Sequence, residues 1–452
     1  MTRIAIIGGG PAGYEAALVA TELGAEVTLV DRDGVGGMCV LADCVPSKTL
    51  IATSDALTNL AHADEVGVRA NGNVAAHLPE VNARVKALAL AQSSDITERL
   101  VRERVSILSG EAKLLPGRMV QVGHETIASD VVLIATGAHP RVLPGAEPDG
   151  ERILDWRHLY DLEELPEHLV VVGSGVTGAE FASAYLAMGC QVTLVSSRER
   201  VLPSEDPDAA DQLQQVFVRR GMRILRGRAA GVERTADGVV VKLLDGSSVA
   251  ASHCLMTVGS VPNTEGLGLE EAGVAVDKSG FVTVDRVSRT TADGVYAAGD
   301  VTGVLMLASV AAMQGRIAMW HALGEAVAPL RLSTVAANVF TDPEVASVGI
   351  TQAQVDTGAV SALSVRLPLA TNARAKMQGL TDGFVKLFAR PGSGQVLGGV
   401  VVAPQASELI LPVSLAVQNG LTVDQIAHTF AIYPSLSGSL TEAARQLMTP
   451  EA

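Results

Sequence analysis

The sequence predicts an α/β protein with two doubly wound parallel sheets, followed by a C-terminal α+β domain. A strand–turn–helix–strand pattern begins at Arg3 and begins again at His168, which predicts two separate sheets. The composition agrees, because 48% of the residues are hydrophobic, only 3% are aromatic and Gly occurs 45 times. Such a balance suits α/β layers built from Ala, Val and Gly.

Apolar runs and helical apolar spacing place the elements of each pattern. The first pattern predicts a strand, a helix and a strand over residues 3–8, 11–23 and 26–31, and the second predicts them over 168–173, 176–189 and 191–196. A polar, helix-rich stretch over residues 47–105 lies between them. Val-rich strands at 383–388 and 396–402 alternate with helices at 408–419 and 423–428, which indicates an α+β domain.

Charge and cysteine content narrow the classes of function. With a formal net charge of −15 and no basic stripe, the chain would repel phosphate backbones, so we expect no nucleic-acid partner. We expect no membrane span, because the best candidate, residues 304–323, contains Gln314, Arg316 and His321. The N-terminus enters a strand at once, leaving no room for a signal peptide, and four cysteines form no extracellular framework. We therefore expect a cytoplasmic protein, and we predict no metal site.

Residues 8–13, here called the first glycine turn, match G-x-G-x-x-G between a strand and a helix. The first glycine makes the tight turn, the second lets the backbone approach a pyrophosphate, and the third lets helix and strand pack closely. N–H groups at the helix N-terminus point at the anion, and Asp31 ends the next strand, where a carboxylate can accept ribose hydroxyls. The predicted cofactor-binding residues are Gly8, Gly10, Pro11, Ala12, Gly13, Asp31 and Arg32.

Residues 173–178, the second glycine turn, repeat the pattern without repeating the acid. The next strand ends in Ser196, followed by Ser197 and Arg198, which could hydrogen-bond and neutralise a 2′-phosphate. This favours NADPH, or the use of both NADPH and NADH; alternatively, Arg198 and Arg200 are solvated surface residues. The residues predicted to bind the second nucleotide are Gly173, Gly175, Val176, Gly178, Ser197 and Arg198.

Cys39 and Cys44, the cysteine pair, follow the first glycine turn. In a straight helix a five-residue spacing rises about 7.5 Å and turns the side chains apart. A disulfide needs Cα atoms within about 4.4–6.8 Å, so bridging requires a distorted turn, which Gly36-Gly37 and Pro46 permit. We expect a helix N-terminus to lower a thiol pKa there. The alternative is two unconnected buried cysteines.

Two glycine turns with a cysteine pair after the first form a combination that resembles the flavoprotein disulfide reductases, the family of lipoamide dehydrogenase and glutathione reductase. The resemblance covers nearly the whole chain and implies that the first sheet binds FAD, the second binds NAD(P)H, and the C-terminal domain forms a homodimer. It implies that Cys44 lies against the flavin and that Cys39 is the interchange thiol. Residues 338–344 resemble the entry to the dimerisation domain.

The same resemblance assigns further residues. It implies a Lys48–Glu180 ion pair near flavin N5, where a positive charge would stabilise the reduced ring; the alternative is two separate surface charges. Thr136-Gly137 looks like the family's A-T-G turn, and Gly299-Asp300 looks like the motif whose aspartate holds the ribityl chain. Gly37 is predicted to contact the flavin cofactor as well. The predicted segments are 1–145 and 261–330 for FAD, 146–260 for NAD(P)H, and 331–452 for the dimer interface.

The C-terminal stretch lacks the histidine and glutamate by which the partner chain of such reductases activates a dithiol. Tyr433 and Gly438 stand at those two positions. Tyrosine ordinarily has a pKa near 10, against about 6.5 for histidine, so it is a poor base at neutral pH. We interpret Glu442 as an ordinary helix residue, His428 as structural, and His139 as unrelated to this site.

This combination resembles the lipoamide-dehydrogenase-like NAD(P)H:quinone reductases that lack the catalytic histidine. It predicts an FAD enzyme that passes hydride from NADPH or NADH to flavin, and then to a quinone or other small acceptor. The predicted catalytic residues are Cys39, Cys44, Lys48, Glu180 and Tyr433. A disulfide reductase for an unidentified thiol is the main alternative; a flavin-based redox sensor and a pyridine nucleotide transhydrogenase are the others.

Overall fold

The computed structural model describes residues 1–69, 72 and 74–448. The chain divides into two compact units. Unit 1 comprises Met1–Thr49, Glu80–Arg141 and Gly259–Arg331, and unit 2 comprises Leu50–Pro79, Val142–Val258 and Leu332–Ala452. The four predicted segment boundaries stay a prediction, and residues 70, 71, 73 and 449–452 of those segments lie outside the described residues.

Unit 1 is built on a five-stranded parallel sheet. Its central strand, Arg3–Ile7, is buried from Ile4 onward, as expected for a parallel sheet whose two faces are both covered. Parallel pairing brings the carboxyl ends of the strands, and therefore the first glycine turn, to one edge of the sheet. In spatial order the strands are Val295–Ala297, Val131–Ile134, Arg3–Ile7, Glu26–Asp31 and Ser106–Ser109.

Two helices of unit 1, Pro11–Glu22 and Ala308–Ala322, pack closely against each other. A Cβ atom added at Gly315 would lie 2.2 Å from the Ala12 carbonyl oxygen, so this approach requires glycine. The other helices that begin in or enter unit 1 are Gly37–Leu41, Cys44–Ala61 and Leu78–Arg102. Small antiparallel sheets are formed by Ala112–Leu115, Met119–Val122 and Glu125–Ala128, and by Ala138–Pro140 with Ser260–Pro262.

Unit 2 contains a second five-stranded parallel sheet that carries the second glycine turn. The helices Val176–Ala187 and Pro207–Arg219 belong to it. In spatial order its strands are Arg223–Arg226, Gln191–Ser196, His168–Val172, His253–Met256 and Ile153–Leu154, and Ala229–Arg234, Val239–Leu243 and Ser248–Ala251 form an antiparallel sheet.

The C-terminal part of unit 2 is a five-stranded antiparallel sheet covered by helices, which is the predicted α+β domain. Its apolar core joins the sheet to the last helix through buried Leu387, Val401 and Ala443. In spatial order the strands are Ala336–Val339, Glu344–Gly349, Val396–Ala403, Phe384–Ala389 and Leu363–Pro368. The helices are Gln352–Asp356, Ala373–Met377, Ala406–Leu409, Leu411–Asn419, Val423–Ala427 and Gly438–Leu447.

These observations confirm the predicted fold class, two doubly wound sheets followed by an α+β domain. One predicted helix was wrong in its continuity. The helix expected over residues 408–419 is two helices, Ala406–Leu409 and Leu411–Asn419. Pro412 lies in the first turn of the second helix, where its missing N–H and its ring favour a new helix start over continuation.

We predict that Gly178→Ala destabilises the folded protein while Gly175→Ala does not. A Cβ at Gly178 would lie 1.9 Å from the Gly173 carbonyl oxygen, and backbone atoms cannot rotate away. At Gly175 no atom lies within 4 Å of an added Cβ. Overpacking of this kind costs about 1–3 kcal/mol. Thermal unfolding of both variants measures the difference, and equal melting temperatures would contradict the prediction.

Candidate active site

The first glycine turn has the backbone shape that a dinucleotide site requires. Gly8 has φ of +107°, and a Cβ there would lie 2.2 Å from the Ala135 carbonyl oxygen. A Cβ at Gly13 would lie 1.9 Å from the Gly8 carbonyl oxygen, whereas one at Gly10 would meet no atom within 4 Å. Gly8 and Gly13 therefore close the turn, and Gly10 leaves open space at the start of the helix Pro11–Glu22. No side chain caps that helix start, so its N–H groups are available to an anion.

The acidic residue after the second strand is held by the backbone. Asp31 accepts hydrogen bonds from the N–H groups of Gly9 at 2.5 Å, Asp33 at 2.8 Å and Gly34 at 2.7 Å. The carboxylate therefore fixes the first glycine turn, in addition to its predicted role toward ribose. Arg32 is exposed and pairs with Asp33 at 2.9 Å, an arrangement typical of a surface residue.

The second glycine turn repeats the geometry of the first. Gly173 has φ of +117°, and a Cβ there would lie 2.2 Å from the Thr257 carbonyl oxygen. Gly178 faces the Gly173 carbonyl oxygen, Gly175 faces open space, and Val176 begins a helix without a side-chain cap. Residues at both turns thus fit a dinucleotide, since each leaves a gap that a side chain would fill, beside free helix N–H groups.

Residues 197–206, here called the nucleotide loop, follow the strand Gln191–Ser196. Ser196 links the strand end to the second glycine turn, because its Oγ lies 2.8 Å from that of Ser174. Arg200 pairs with Asp211 at 2.6 Å. Ser197 and Arg198 are exposed, and no carboxylate among the described residues lies within ion-pair distance of Arg198. Of the two arginines, Arg200 is therefore the one held by an ion pair.

The cysteine pair spans a break between two helices. Cys39 lies in the helix Gly37–Leu41, and Cys44 begins the helix Cys44–Ala61. Ala42 interrupts the helical path with φ of −140°. Gly37 has φ of +57°, and a Cβ there would lie 2.9 Å from the Gly10 Cα atom, so the first short helix rests on the first glycine turn. The break lets side chains five residues apart approach each other.

The nearness of the two sulfurs separates the pKa values of the thiols, because Cys44 can donate a hydrogen bond to a thiolate on Cys39. Donation from Cys44 lowers the pKa of the Cys39 thiol below its usual range. The same bond, together with burial, raises the pKa of Cys44. At Cys39 the partner thiol is thus the largest cause of the lowered pKa, and the expected effect of a helix N-terminus stays a prediction. Both cysteines are free thiols in the structure.

Three charged residues lie close to the cysteine pair. The Lys48 ammonium lowers the pKa of both thiols, whereas the Asp43 carboxylate raises them. Burial, followed by the charge of Asp43, raises the pKa of Asp300 to about 6. The predicted residues Cys39, Cys44, Lys48 and Asp300 are therefore brought together in unit 1.

The two remaining predicted turns of unit 1 are held by amide side chains. Asn263 donates from Nδ2 to the Thr136 main-chain carbonyl at 2.7 Å. The main-chain carbonyl of Asn263 accepts from Thr136 Oγ1 at 2.8 Å. Gly137 follows with φ of +70°. Gln314 is buried, and its Oε1 accepts from the Gly299 N–H at 2.9 Å, just before Asp300.

Glu180 and Tyr433 lie in unit 2. Glu180 is buried, and its Oε1 accepts from the Phe340 N–H at 2.8 Å, which ties the helix Val176–Ala187 to the segment that enters the C-terminal sheet. Tyr433 is 86% exposed. The predicted Lys48–Glu180 ion pair stays a prediction.

Other residues near the C-terminus have local partners. Glu442 pairs with Arg445 at 2.7 Å on the helix Gly438–Leu447, as its interpretation as a helix residue anticipated. His428 is exposed and pairs with Asp424 at 3.4 Å. His139 lies in unit 1, where its Nδ1 is 2.6 Å from Asn263 Oδ1.

Sequence reasoning did not single out Asn263, Gln314 or Tyr14. Asn263 contacts Thr136, which is 127 residues away in the sequence, and no local sequence pattern predicts such a contact. Tyr14 lies on the first turn of its helix, where the pKa of its phenol is raised, first by burial and then by the negative charge of Cys39. Its place directly after the G-x-G-x-x-G run is the one signal that could have pointed to it.

Comparison with protein-family models decides the family. The model described as pyridine nucleotide-disulphide oxidoreductase matches residues 2–315, and the model of that family's dimerisation domain matches residues 335–444. The chain belongs to the pyridine nucleotide-disulphide oxidoreductase family. The resemblance that the glycine turns and the cysteine pair suggested is thereby confirmed.

Relatives agree along nearly the whole chain. A protein of Mycobacterium tuberculosis named NAD(P)H dehydrogenase (quinone) is 57% identical over 464 residues, covering 99% of this chain and 94% of the relative. A dihydrolipoyl dehydrogenase of Chlorobaculum parvum is 34% identical over 451 residues, with 98% and 96% covered.

Solved structures give the same result. The crystal structure of LpdA from Mycobacterium tuberculosis has a TM-score of 0.96 at 56% identity, with 99% of this chain and 100% of that chain covered. RclA of Escherichia coli, an HOCl-induced flavoprotein disulfide reductase, has a TM-score of 0.88 at 26% identity, with 98% and 99% covered.

Neither a membrane-spanning helix nor a metal-binding cluster occurs in the part of the chain that the structure describes. Across residues 1–69, 72 and 74–448, no helix is both long and apolar enough to cross a membrane. Within the same described ranges, no three side chains of His, Cys, Asp or Glu are grouped so that they could hold a metal ion.

We predict that Cys44→Ala slows alkylation of Cys39, whereas Cys44→Ser does not. A serine hydroxyl can still donate to the Cys39 thiolate, but alanine cannot. A hydrogen bond to a charged group contributes about 1.5 kcal/mol or more, so the rate near neutral pH should fall about tenfold in the alanine variant. Iodoacetamide labelling of the reduced enzyme, followed against pH by mass spectrometry, measures this rate. Cys190 is an internal control, since burial raises its pKa to about 12. Identical rates for the alanine and serine variants would contradict the prediction.

Proposed function

We propose that the chain is an FAD-dependent NAD(P)H:quinone oxidoreductase. The observation that carries the proposal is the C-terminal segment, where exposed Tyr433 stands in place of the histidine that disulfide reductases use. A phenol is a weak base near neutral pH, whereas a quinone acceptor has less need of a base. The name of the 57%-identical relative, NAD(P)H dehydrogenase (quinone), supports the same choice of acceptor.

The residues of unit 1 are suited to hold FAD. Gly10 leaves room for the pyrophosphate, the Pro11–Glu22 helix start supplies N–H groups, and Asp31 stands where ribose hydroxyls would be accepted. Asp300 and Thr136 follow the ends of two neighbouring strands of the same sheet. When bound, FAD supplies the hydride-accepting ring that joins a two-electron donor to a quinone.

The residues of unit 2 are suited to hold NAD(P)H. Gly175 leaves the gap for its pyrophosphate, and Ser197 and Arg198 lie where a 2′-phosphate would be bound. Among the described residues, no carboxylate competes with a 2′-phosphate for the Arg198 guanidinium. We therefore propose that NADPH binds more tightly than NADH and that both are accepted.

Lys48 and the cysteine pair have a shared electrostatic role in this proposal. The ammonium lowers the pKa of both thiols, so it favours a thiolate on Cys39 and would also stabilise negative charge on an adjacent reduced ring. The cysteine pair can hold two electrons, but a planar acceptor can be reduced without electron transfer through the cysteines. We propose that the cysteine pair exchanges electrons with the flavin as a side route.

The proposed assembly is a homodimer located in the cytoplasm. The match of residues 335–444 to a dimerisation domain supports the first statement. The cysteine content supports the second, because four cysteines in 452 residues form no extracellular disulfide framework.

A disulfide reductase for a small thiol is the second candidate. It is favoured by the close approach of the two cysteines and by the lowered pKa of Cys39, as expected of an attacking thiolate. Relatives named dihydrolipoyl dehydrogenase at 34% identity are compatible with it.

Cys44→Ser separates the two candidates. A quinone reductase should keep at least about half of its NADPH:menadione kcat/KM, whereas turnover of a disulfide should fall by about 10²-fold or more. Steady-state assays with NADPH and NADH, against menadione and lipoamide, give both values. Collapse of the menadione activity would make the cysteine pair an obligatory relay and reject the direct route.

The double substitution Tyr433→His, Gly438→Glu tests the role of the C-terminal segment in the other direction. A Cβ added at Gly438 would lie 3.8 Å from Ser435 Oγ, an ordinary van der Waals contact, so a side chain can begin there without strain. General base catalysis contributes about 10²–10⁴-fold, so lipoamide turnover should rise at least about tenfold while menadione turnover stays constant. Tyr433→Phe is the matched control, expected to change neither rate by more than about twofold. A gain in menadione turnover alone would count against the proposal.

A further inference from the structure

The structure contains a buried cation whose position the proposed chemistry does not explain. Lys386 lies in the middle of the strand Phe384–Ala389, with only 5% of its side chain exposed. Its Nζ pairs with Asp206 Oδ2 at 3.0 Å and Asp208 Oδ2 at 2.8 Å, and it lies 5.3 Å from the centre of the Phe388 ring. Asp206 is equally buried, with 4% of its side chain exposed.

This ion pair is poorly placed for helix stability. Asp206 caps the helix Pro207–Arg219 by accepting from the Asp208 N–H at 3.0 Å. A helix N-terminus carries partial positive charge, so an ammonium beside it is unfavourable unless carboxylates intervene. Burying the charges also requires desolvation, and apolar residues of similar volume often stabilise a fold equally well. The ion pair therefore needs a reason other than fold stability, and the segment that ends at Asp206 provides one.

Asp206 is the last residue of the nucleotide loop. In the middle of that loop, the Leu202 N–H donates to the Ser174 carbonyl of the second glycine turn at 2.8 Å. Leu202 is buried with φ of +53°, a left-handed conformation that a branched side chain adopts only when its surroundings hold it there. The loop is thus fixed to the second glycine turn at Leu202 and to the C-terminal sheet at Asp206. Ahead of both anchors, Ser196 Oγ donates to the Arg198 carbonyl at 2.9 Å and accepts from the Arg198 N–H at 3.2 Å, while the side chains of Ser197 and Arg198 are exposed.

We infer that Lys386 is a positioning residue for recognition of the NADPH 2′-phosphate, through its ion pairs with Asp206 and Asp208. The inference rests on the proposed NAD(P)H site. Lys386 does not touch the nucleotide. It holds the C-terminal end of the nucleotide loop, so that Ser197 and Arg198 are presented in one geometry, and a charge-assisted hydrogen bond to phosphate depends on that geometry.

A neighbouring cation provides a matched control. Arg366 lies opposite Lys386 on the adjacent strand, and its guanidinium stacks on the Phe384 ring at 4.3 Å. Arg366 donates to Gln212 of the helix Pro207–Arg219 at 3.2 Å, beyond the end of the nucleotide loop. Removing it should loosen the same packing without releasing the loop.

The test compares two probes, 2′,5′-ADP and 5′-AMP, which differ by the 2′-phosphate. Calorimetric titration of the FAD-loaded full chain gives a Kd for each. In Lys386→Met the Kd for 2′,5′-ADP should rise about tenfold, while that for 5′-AMP changes by less than about threefold. Lys386→Arg should restore most of the difference, and Arg366→Met should leave both values within about twofold.

A second variant keeps the test decisive if Lys386→Met does not fold. Lys386→Met, Asp206→Asn removes the unpaired buried carboxylate but retains a helix cap, and the same selective loss of 2′,5′-ADP binding is expected. Equal losses for both probes, or no loss in a folded variant, would overturn the inference. Equal wild-type Kd values for the two probes would do so as well. No quinone enters the titration, so a wild-type enzyme that fails to reduce menadione would reject the proposed function and leave this result standing.

Discussion

Both parallel sheets depend on one steric constraint, the contact between a glycine in the first turn of a helix and a carbonyl oxygen of the preceding turn. A Cβ at Gly13 or at Gly178 would lie 1.9 Å from that oxygen. Without side chains there, helix and strand approach closely, and the helix N-terminus opens toward the edge of the sheet where strand ends converge. In unit 1 this turn also supports the cysteine pair, because Gly37 packs on Gly10.

The fold could be predicted from the sequence because its determinants are local. Strands such as Arg3–Ile7 and Glu26–Asp31 are short apolar runs beside glycine turns. Both the apolar run and the glycine turn can be recognised in the sequence without knowledge of tertiary contacts. The break between Leu409 and Leu411 was missed although Pro412 is a local signal, because the apolar spacing continues across it.

The candidate site was only partly predictable. Motif spacing found the cysteine pair, but it could not show which thiol has the lower pKa, because this depends on the groups that surround each sulfur. The roles of Asn263, Gln314 and Lys386 follow from contacts with residues 127, 15 and 180 positions away. Neither composition nor periodicity carries information about such pairs, since each partner is compatible with an ordinary loop, helix or strand.

The raised pKa of Asp300 has a consequence for how the thiolate responds to acid. Above a pH of about 6 this carboxyl is ionised and its negative charge opposes ionisation of Cys39. As the medium becomes more acidic, Asp300 takes up a proton and that repulsion disappears. Protonation of Asp300 thus partly offsets the effect of acid on Cys39. The Cys39 thiolate persists to a lower pH than it would beside a permanently ionised aspartate.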